Sequence, residues 1–222
     1  ERQAIYRNRA EQAKDAKVIV FFSSKGGVGK SFLALNTSVI FSRKEQKKVL
    51  LIDMDFQFGD ISILVNQYNK RTILDAVNDG QTDSYESIKP YFHKYSDNLD
   101  ILFAPENPEG AEYITKETIE KLLVAVKNQY DIIVVDTGVN FSDSTLYVLD
   151  AAAKILMVST MEIPALKDTK LALKVMESLG YDRDKVKLVI NRFDSGHGIK
   201  KKEVEEAFRD GIFATIPEEE KA

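Results

Sequence analysis

Ser24-Lys25-Gly26-Gly27-Val28-Gly29-Lys30-Ser31 decides how this chain folds. The apolar run Val18-Ile19-Val20-Phe21-Phe22 precedes it, and a helix-compatible run begins near Ser31. A strand, a glycine-rich turn, Lys-Ser and a helix are the context of a phosphate-binding loop. Glycines let backbone N–H groups approach an oxyanion without a Cβ in the way. The helix that follows adds its unpaired N-terminal N–H groups and its positive dipole end. Lys30 would reach the β- and γ-phosphates, and the Ser31 hydroxyl would be a ligand of Mg²⁺. The match to G-x-x-x-x-G-K-[ST] is incomplete, because Ser24 stands where the first glycine belongs. A glycine turn on a surface loop is the alternative, but it explains neither the flanks nor the two motifs that follow.

The first of these ends the apolar run Val49-Leu50-Leu51-Ile52, which passes into Asp53-Met54-Asp55-Phe56-Gln57-Phe58-Gly59-Asp60. Acidic residues just past the carboxyl end of a buried parallel strand lie where open α/β sheets place their ligands. Asp53 and Asp55 read either as ordinary turn residues or, after a phosphate loop, as a switch I segment. The second is Asp131-Ile132-Ile133-Val134-Val135-Asp136, four hydrophobics carrying a carboxylate toward the same edge in the form of a Walker B strand. Thr137-Gly138-Val139-Asn140 would then be switch II.

The rest of the chain alternates in the same way. The strands 17–23, 49–53, 99–104, 131–136, 154–159, 186–190 and 212–216 are expected to be separated by helices. One of these runs from Thr115 to about Lys127, with Ile119, Leu122, Leu123 and Val126 on one face. Pro164 opens a later helix and Gly180 closes it, with Leu166, Ala172, Leu173, Val175, Met176 and Leu179 as the expected buried stripe. Short helices are expected near 73–77 and 85–92. His93 is read as structural, and Asp194–Gly198 as a turn with the lone His197. Residues 1–16 read as a linker helix, an ordered arm or a solvated leader. Lys200–Lys202 begin a helix whose charge marks a solvated face or, less simply, a contact with DNA or anionic lipid. The expected fold is one doubly wound α/β domain over 17–222, with a mainly parallel sheet flanked by helices.

Composition narrows the chemistry. The 222 residues, 44% hydrophobic and 30% charged, suffice for a large core under a solvated surface. A net charge of −4 argues against bulk electrostatic binding of nucleic acid. Without cysteine there is no disulfide, thiolate zinc site or cysteine-ligated Fe–S cluster. No apolar run reaches the ~18 residues of a transmembrane span, and no signal peptide is visible. A cytoplasmic location is expected, with recruitment by partners to a cell pole or the inner membrane face. The chain begins at Glu1 rather than Met, which leads us to expect that it is part of a longer protein.

The variant K-G-G-V-G-K-[ST], matched in full by Lys25–Ser31, resembles the signature of the deviant Walker A ATPases, the family of MinD and ParA. The resemblance covers about residues 17–217. Within that family the chain is similar to the pilus-assembly members CpaE and TadZ. Leu51–Asp60, Val134–Gly138, Glu162-Ile163-Pro164-Ala165-Leu166 and Val189-Ile190-Asn191-Arg192-Phe193 carry this closer similarity. Those proteins usually bear a receiver-like domain before the ATPase.

The resemblance implies roles residue by residue. Lys25 corresponds to the signature lysine that reaches the partner's phosphates across a nucleotide-sandwich homodimer, and Lys30 to the lysine acting in cis. Gly26, Gly27, Val28, Gly29, Lys30, Ser31 and Phe32 would wrap the phosphates of ATP or ADP. Asp53 and Asp136, with Ser31, would hold Mg²⁺, and Asp55 would orient the attacking water. Asn191, with Arg192 beside it, would read adenine, and backbone around Pro217 would complete the base pocket. Ser24 and Phe32 depart from the residues usual at their positions. Neither the amphipathic membrane helix of MinD nor the basic DNA-binding set of ParA is evident, so no DNA and no direct membrane insertion are expected. Bacterial tyrosine kinases share the loop but differ after the second aspartate, where this chain has Phe56-Gln57-Phe58. The implied function is a slow Mg²⁺-dependent ATPase whose dimer localises or assembles a pilus or secretion machine of Flp/Tad type. A ParA-type partitioning or MinD-type positioning ATPase and a non-hydrolysing nucleotide-binding scaffold are the alternatives.

Overall fold

The computed structural model describes residues 15–68, 70–193, 204, 208 and 211–218. The expectations for residues 1–14, for His197 and for Lys200–Lys202 fall outside these residues.

Strand β1 (Lys17–Phe22) leads through the glycine loop into helix α1 (Lys30–Arg43). Then come β2 (Val49–Met54), the short helices α2 (Ile61–Leu64), α3 (Ile73–Asn78) and α4 (Tyr85–Ile88), and the hairpin β3 (His93–Ser96) and β4 (Leu99–Leu102). A 3₁₀ turn (Pro108–Tyr113), α5 (Lys116–Val126), β5 (Ile132–Thr137), α6 (Asp143–Ala151), β6 (Lys154–Ser159), α7 (Ile163–Ser178), β7 (Val186–Phe193) and β8 (Ala214–Pro217) complete the order. Eight strands among the described residues form one sheet in the order β3-β4-β2-β5-β1-β6-β7-β8. Every pairing is parallel except that of β3 with β4.

The unbroken apolar runs explain the centre of this sheet. All six residues of β2 and all six of β5 are buried, as parallel strands covered on both faces must be. Each buried Val, Leu or Ile contributes about 1.5–3 kcal/mol. One face packs under α1, where Leu33, Ala34 and Leu35 meet Phe21, Leu51 and Val134. The other packs under α5, α6 and α7, where Ile119, Val148 and Met176 meet Val20, Val135 and Ile190. The helix after β1 thus covers one face and the helix after β5 the other, although the two strands are neighbours. Their departing loops part at the carboxyl edge and leave a crevice there, the place where doubly wound sheets bind ligands.

Four expectations need correction. Residues 93–96 form an edge strand, turned back through Asp97-Asn98 onto β4. The sequence His93-Lys94-Tyr95-Ser96 has no apolar face to betray it, since a half-exposed edge strand needs none. On α7 the buried residues are Ala165, Thr169, Ala172 and Met176, whereas Val175 is 40% and Leu179 50% exposed. These four fall at i, i+4, i+7 and i+11, one face of the helix, and Val175 and Leu179 lie beside that face. The last strand lies at Ala214–Pro217, two residues later than Ile212, and β4 ends at Leu102 rather than Ala104. No helix among the described residues is long and apolar enough to cross a membrane.

Candidate functional site

Strand register brings the acidic residues together. Asp53 at the end of β2 pairs with Asp136 at the end of β5, and Asp136 pairs in turn with Phe21 at the end of β1. The glycine loop therefore opens directly above two buried carboxylates. Gly27 (φ 78°) and Gly29 (φ 87°) take the left-handed backbone that side chains disfavour. Gly29 is also the N-cap of α1 and supplies no side-chain cap, so no cap side chain competes for the free N–H groups of the first helical turn. Ser23 Oγ donates to the Lys25 carbonyl at 3.0 Å and steadies the start of the loop.

Beneath the loop, Lys30 Nζ donates to Asp136 Oδ1 at 2.5 Å, with the two side chains 6% and 0% exposed. Burial pushes the Asp136 carboxyl up, and the Lys30 ammonium and Ser31 hydroxyl pull it back down. Asp53 is held by backbone donors, with Asp55 N–H on Oδ1 at 3.0 Å and Ile61 N–H on Oδ2 at 3.4 Å. Burial raises the Asp53 carboxyl well above the usual range and Asp136 raises it further, against the pull of the Asp55 N–H and Lys30. Gly59 packs onto the same carboxylate. A Cβ there would lie 2.6 Å from Asp53 Oδ2 and 2.6 Å from the Ala104 Cβ, so only glycine lets this segment turn so tightly. Asp55 faces Gly138 across the crevice and accepts the Phe58 N–H at 3.4 Å.

Above these groups lies a cavity of about 1270 Å³. Lys25 to Phe32 line one wall, Met54 to Phe58 a second and Gly138 to Asn140 a third, so loop and both switch segments share one chamber. Lys25 is partly buried at its mouth, and Phe32 is 50% exposed. Asp136 Oδ2 is buried without a partner. A buried carboxyl oxygen with no hydrogen bond of its own, beside a helix-N-terminal serine, suits a hydrated Mg²⁺. Among the described residues no three His, Cys, Asp or Glu side chains form a metal cage of their own. A cation here would take its remaining ligands from phosphate and water.

Asn191, Arg192 and Pro217 sit at the far side. Asn191 is buried and its Nδ2 donates to the Val28 carbonyl at 2.8 Å. Arg192, with φ 51°, lines the cavity. Pro217 pairs with Phe193 in β8 and lies outside the cavity lining. Two contributions were not anticipated, the contact made by Thr137, a residue of the expected switch II, and the Pro108–Tyr113 turn. Thr137 Oγ1 is buried and within 3.0 Å of the Phe21 carbonyl, which ties β5 to the root of the loop. The Pro108–Tyr113 turn brings Glu109 and Glu112 to the cavity wall. A threonine after a strand-end aspartate is the only sequence signal for the first. The second depends on how the 3₁₀ turn packs, with Gly110 against Leu74.

This loop, the two strand-end carboxylates and the crevice between oppositely departing helices define a doubly wound P-loop α/β domain. The family model AAA_31, described as an AAA domain, matches residues 16–188, and the chain belongs to that family, the MinD/ParA-type P-loop ATPases. The septum site-determining protein MinD of Thermotoga maritima is 29% identical over 91% of this chain and 76% of its own length. MinD of Synechocystis is 28% identical over 79% of the chain, which spans 64% of that protein's length. Among solved structures, a ParA family ATPase from Chlorobium tepidum superposes with a TM-score of 0.84 at 24% identity, covering 92% of this chain and 85% of the other. MinD from Pyrococcus horikoshii, solved with Mg-ADP, has a TM-score of 0.76 at 20% identity, covering 92% and 82%. At these identities the two structures establish the shared fold.

Proposed function

We propose that the protein is a slow Mg²⁺-dependent ATPase that works as a nucleotide-switched homodimer and positions a partner assembly in the cell. The observation that carries this reading is the buried Lys30–Asp136 pair beneath an uncapped glycine loop, with Asp136 Oδ2 unpartnered. Phosphoryl transfer needs positioning and charge neutralisation more than covalent chemistry. Gly26 to Phe32 bind the phosphates through backbone N–H groups. Lys30 exchanges Asp136 for the terminal phosphates. Ser31, Asp53 and Asp136 would hold Mg²⁺, which would supply charge neutralisation for the phosphates. Asp55, between the two switch segments, orients the attacking water. Lys25, at the mouth, reaches a nucleotide held by a second copy, so hydrolysis and dimerisation are coupled.

The finer role, localising a pilus or secretion machine of Flp/Tad type, rests on the four segments similar to CpaE and TadZ. Under that reading a receiver-like domain precedes the ATPase in the whole protein, and location is cytoplasmic with recruitment by partners. The match to septum-site MinD proteins favours a second reading, a MinD-type positioning role. Both require hydrolysis. Phosphate release with Mg·ATP that vanishes in Asp55→Ala is the expected result; none from the wild type would leave a nucleotide-binding scaffold.

A further inference from the structure

Large apolar side chains stand in solvent on the carboxyl edge of the sheet. Phe58 is 76% exposed after β2, with Ile63 and Leu64 of α2 exposed beside it, and Ile163 is 72% exposed at the start of α7. Apolar surface gathered in this way beside polar groups marks a contact.

Its placement is two-fold. At the middle of the sheet β5 lies beside β1, with β2 next outward on one side and β6 next outward on the other. The segment after β2 and the segment after β6 are therefore equally far from the centre. They also belong to opposite faces. Ile61 of α2 packs in the core under α1, whereas α7 lies mainly on the other face through Ala172 and Met176. A two-fold axis through the centre of the edge, parallel to the strands, exchanges both the sides and the faces. It lays α2 of one copy on the start of α7 of another. Lys25 follows β1 at that centre, where it must be to reach a nucleotide held by a second copy.

Charge agrees with this placement. Asp60 is the only charged residue from Phe56 to Tyr68, and it precedes α2 without a side-chain capping bond. On the exposed side of α7, Lys167 has Asp168 as a loose partner at 3.9 Å. We propose that a second copy of this chain covers the face. Phe58, Ile63 and Leu64 of one copy pack on Ile163 and Pro164 of the second copy, and Asp60 faces its Lys167, twice in each closed dimer. This inference rests on the nucleotide-switched homodimer above and adds the side chains by which one copy recognises the other.

The test is a charge swap read as solution molar mass with Mg·ATP over a range of protein concentrations. Lys167→Glu and Asp60→Lys each set like charges opposite one another at both contacts. Each alone should raise the dimer Kd roughly tenfold or more. In an equal mixture, the two swapped charges face each other at one contact and the native pair remains at the other, so dimers should form as in the wild type. Single variants that dimerise like the wild type, or a mixture no better than either alone, would overturn the proposal. Should either variant not fold, cross-linking decides. The chain has no cysteine, so Ile63→Cys and Ile163→Cys carry one thiol each. With Mg·ATP and a mild oxidant, the mixture should give disulfide-linked pairs of the two different chains, and each variant alone few; equal yields alone and mixed would refute the contact. A wild type that stays monomeric with Mg·ATP refutes the switched-dimer reading, and this inference with it. Wild-type dimers with no response to the charge swap leave that reading standing and refute this inference alone.

Discussion

Replacing Lys30 with methionine tests the buried ion pair at the heart of the site. Methionine keeps the length and apolar stem of lysine but leaves Asp136, fully buried, without its cation. Breaking a buried pair by removing one partner costs about 3–5 kcal/mol, because the surviving charge is neither solvated nor paired. For a domain of this size each kcal/mol moves Tm by roughly 2–4 °C, so the nucleotide-free variant should melt about 6–20 °C below wild type. The loss should also depend on pH. Without Lys30 the Asp136 carboxyl, already raised by burial, rises further. A carboxyl whose folded pKa exceeds its unfolded value binds protons more tightly when folded, so stability returns as pH falls through that raised value. The double variant Lys30→Met/Asp136→Asn removes both charges and should recover most of the loss, while remaining unable to bind Mg·ATP. Scanning calorimetry of the three proteins across neutral and mildly acidic pH is the assay. A single variant within about 2 °C of wild type, or a double variant no better than the single, would show that the pair is not buried as described.

Asp53→Asn should raise Tm of the nucleotide-free protein, since burial and Asp136 both oppose its charge. It should also weaken Mg²⁺-dependent nucleotide binding, and a lower nucleotide-free Tm would contradict the account. In the wild type the same raised carboxyl makes nucleotide-free stability increase as pH falls through its raised folded pKa toward the lower unfolded one, and heat-denaturation midpoints against pH will show whether it does. Gly29→Ala places a side chain at φ 87° and onto the Asn191 amide. It should cost more than about 1 kcal/mol and abolish nucleotide binding. On α7, Met176→Ala should cost about 2–5 kcal/mol, whereas Val175→Asp should stay within about 0.5 kcal/mol. Equal losses at the two positions in urea titrations would reject the observed face.

The centre of the fold was legible because its residues have few other options. An all-apolar run ending in aspartate, as in Val49–Asp53 and Ile132–Asp136, makes a central parallel strand and sets its carboxylate at the edge. Lys25–Ser31 adds a loop that little else explains. The periphery was less legible. His93–Ser96 carries no apolar alternation, because one side of an edge strand faces water. On α7 several apolar residues compete for the sheet, and the face that goes in is the i, i+4, i+7, i+11 stripe Ala165, Thr169, Ala172 and Met176, whose polar Thr169 hides it from a search for the most apolar residues, while Val175 stays out. Asn191 shows a third limit. Sequence marks it as a polar residue at a strand end, but the direction of its carboxamide follows from the register shift between Ile190 and Phe193. The Pro108–Tyr113 wall depends on packing between segments far apart in the chain.

The most direct test of the central claim is solution molar mass, measured with no nucleotide, with Mg·ADP and with Mg·ATP, for the wild type and Lys25→Ala. A nucleotide-switched dimer predicts doubling of mass with Mg·ATP alone, lost in Lys25→Ala. A mass that ignores nucleotide, or a dimer indifferent to Lys25, would contradict it.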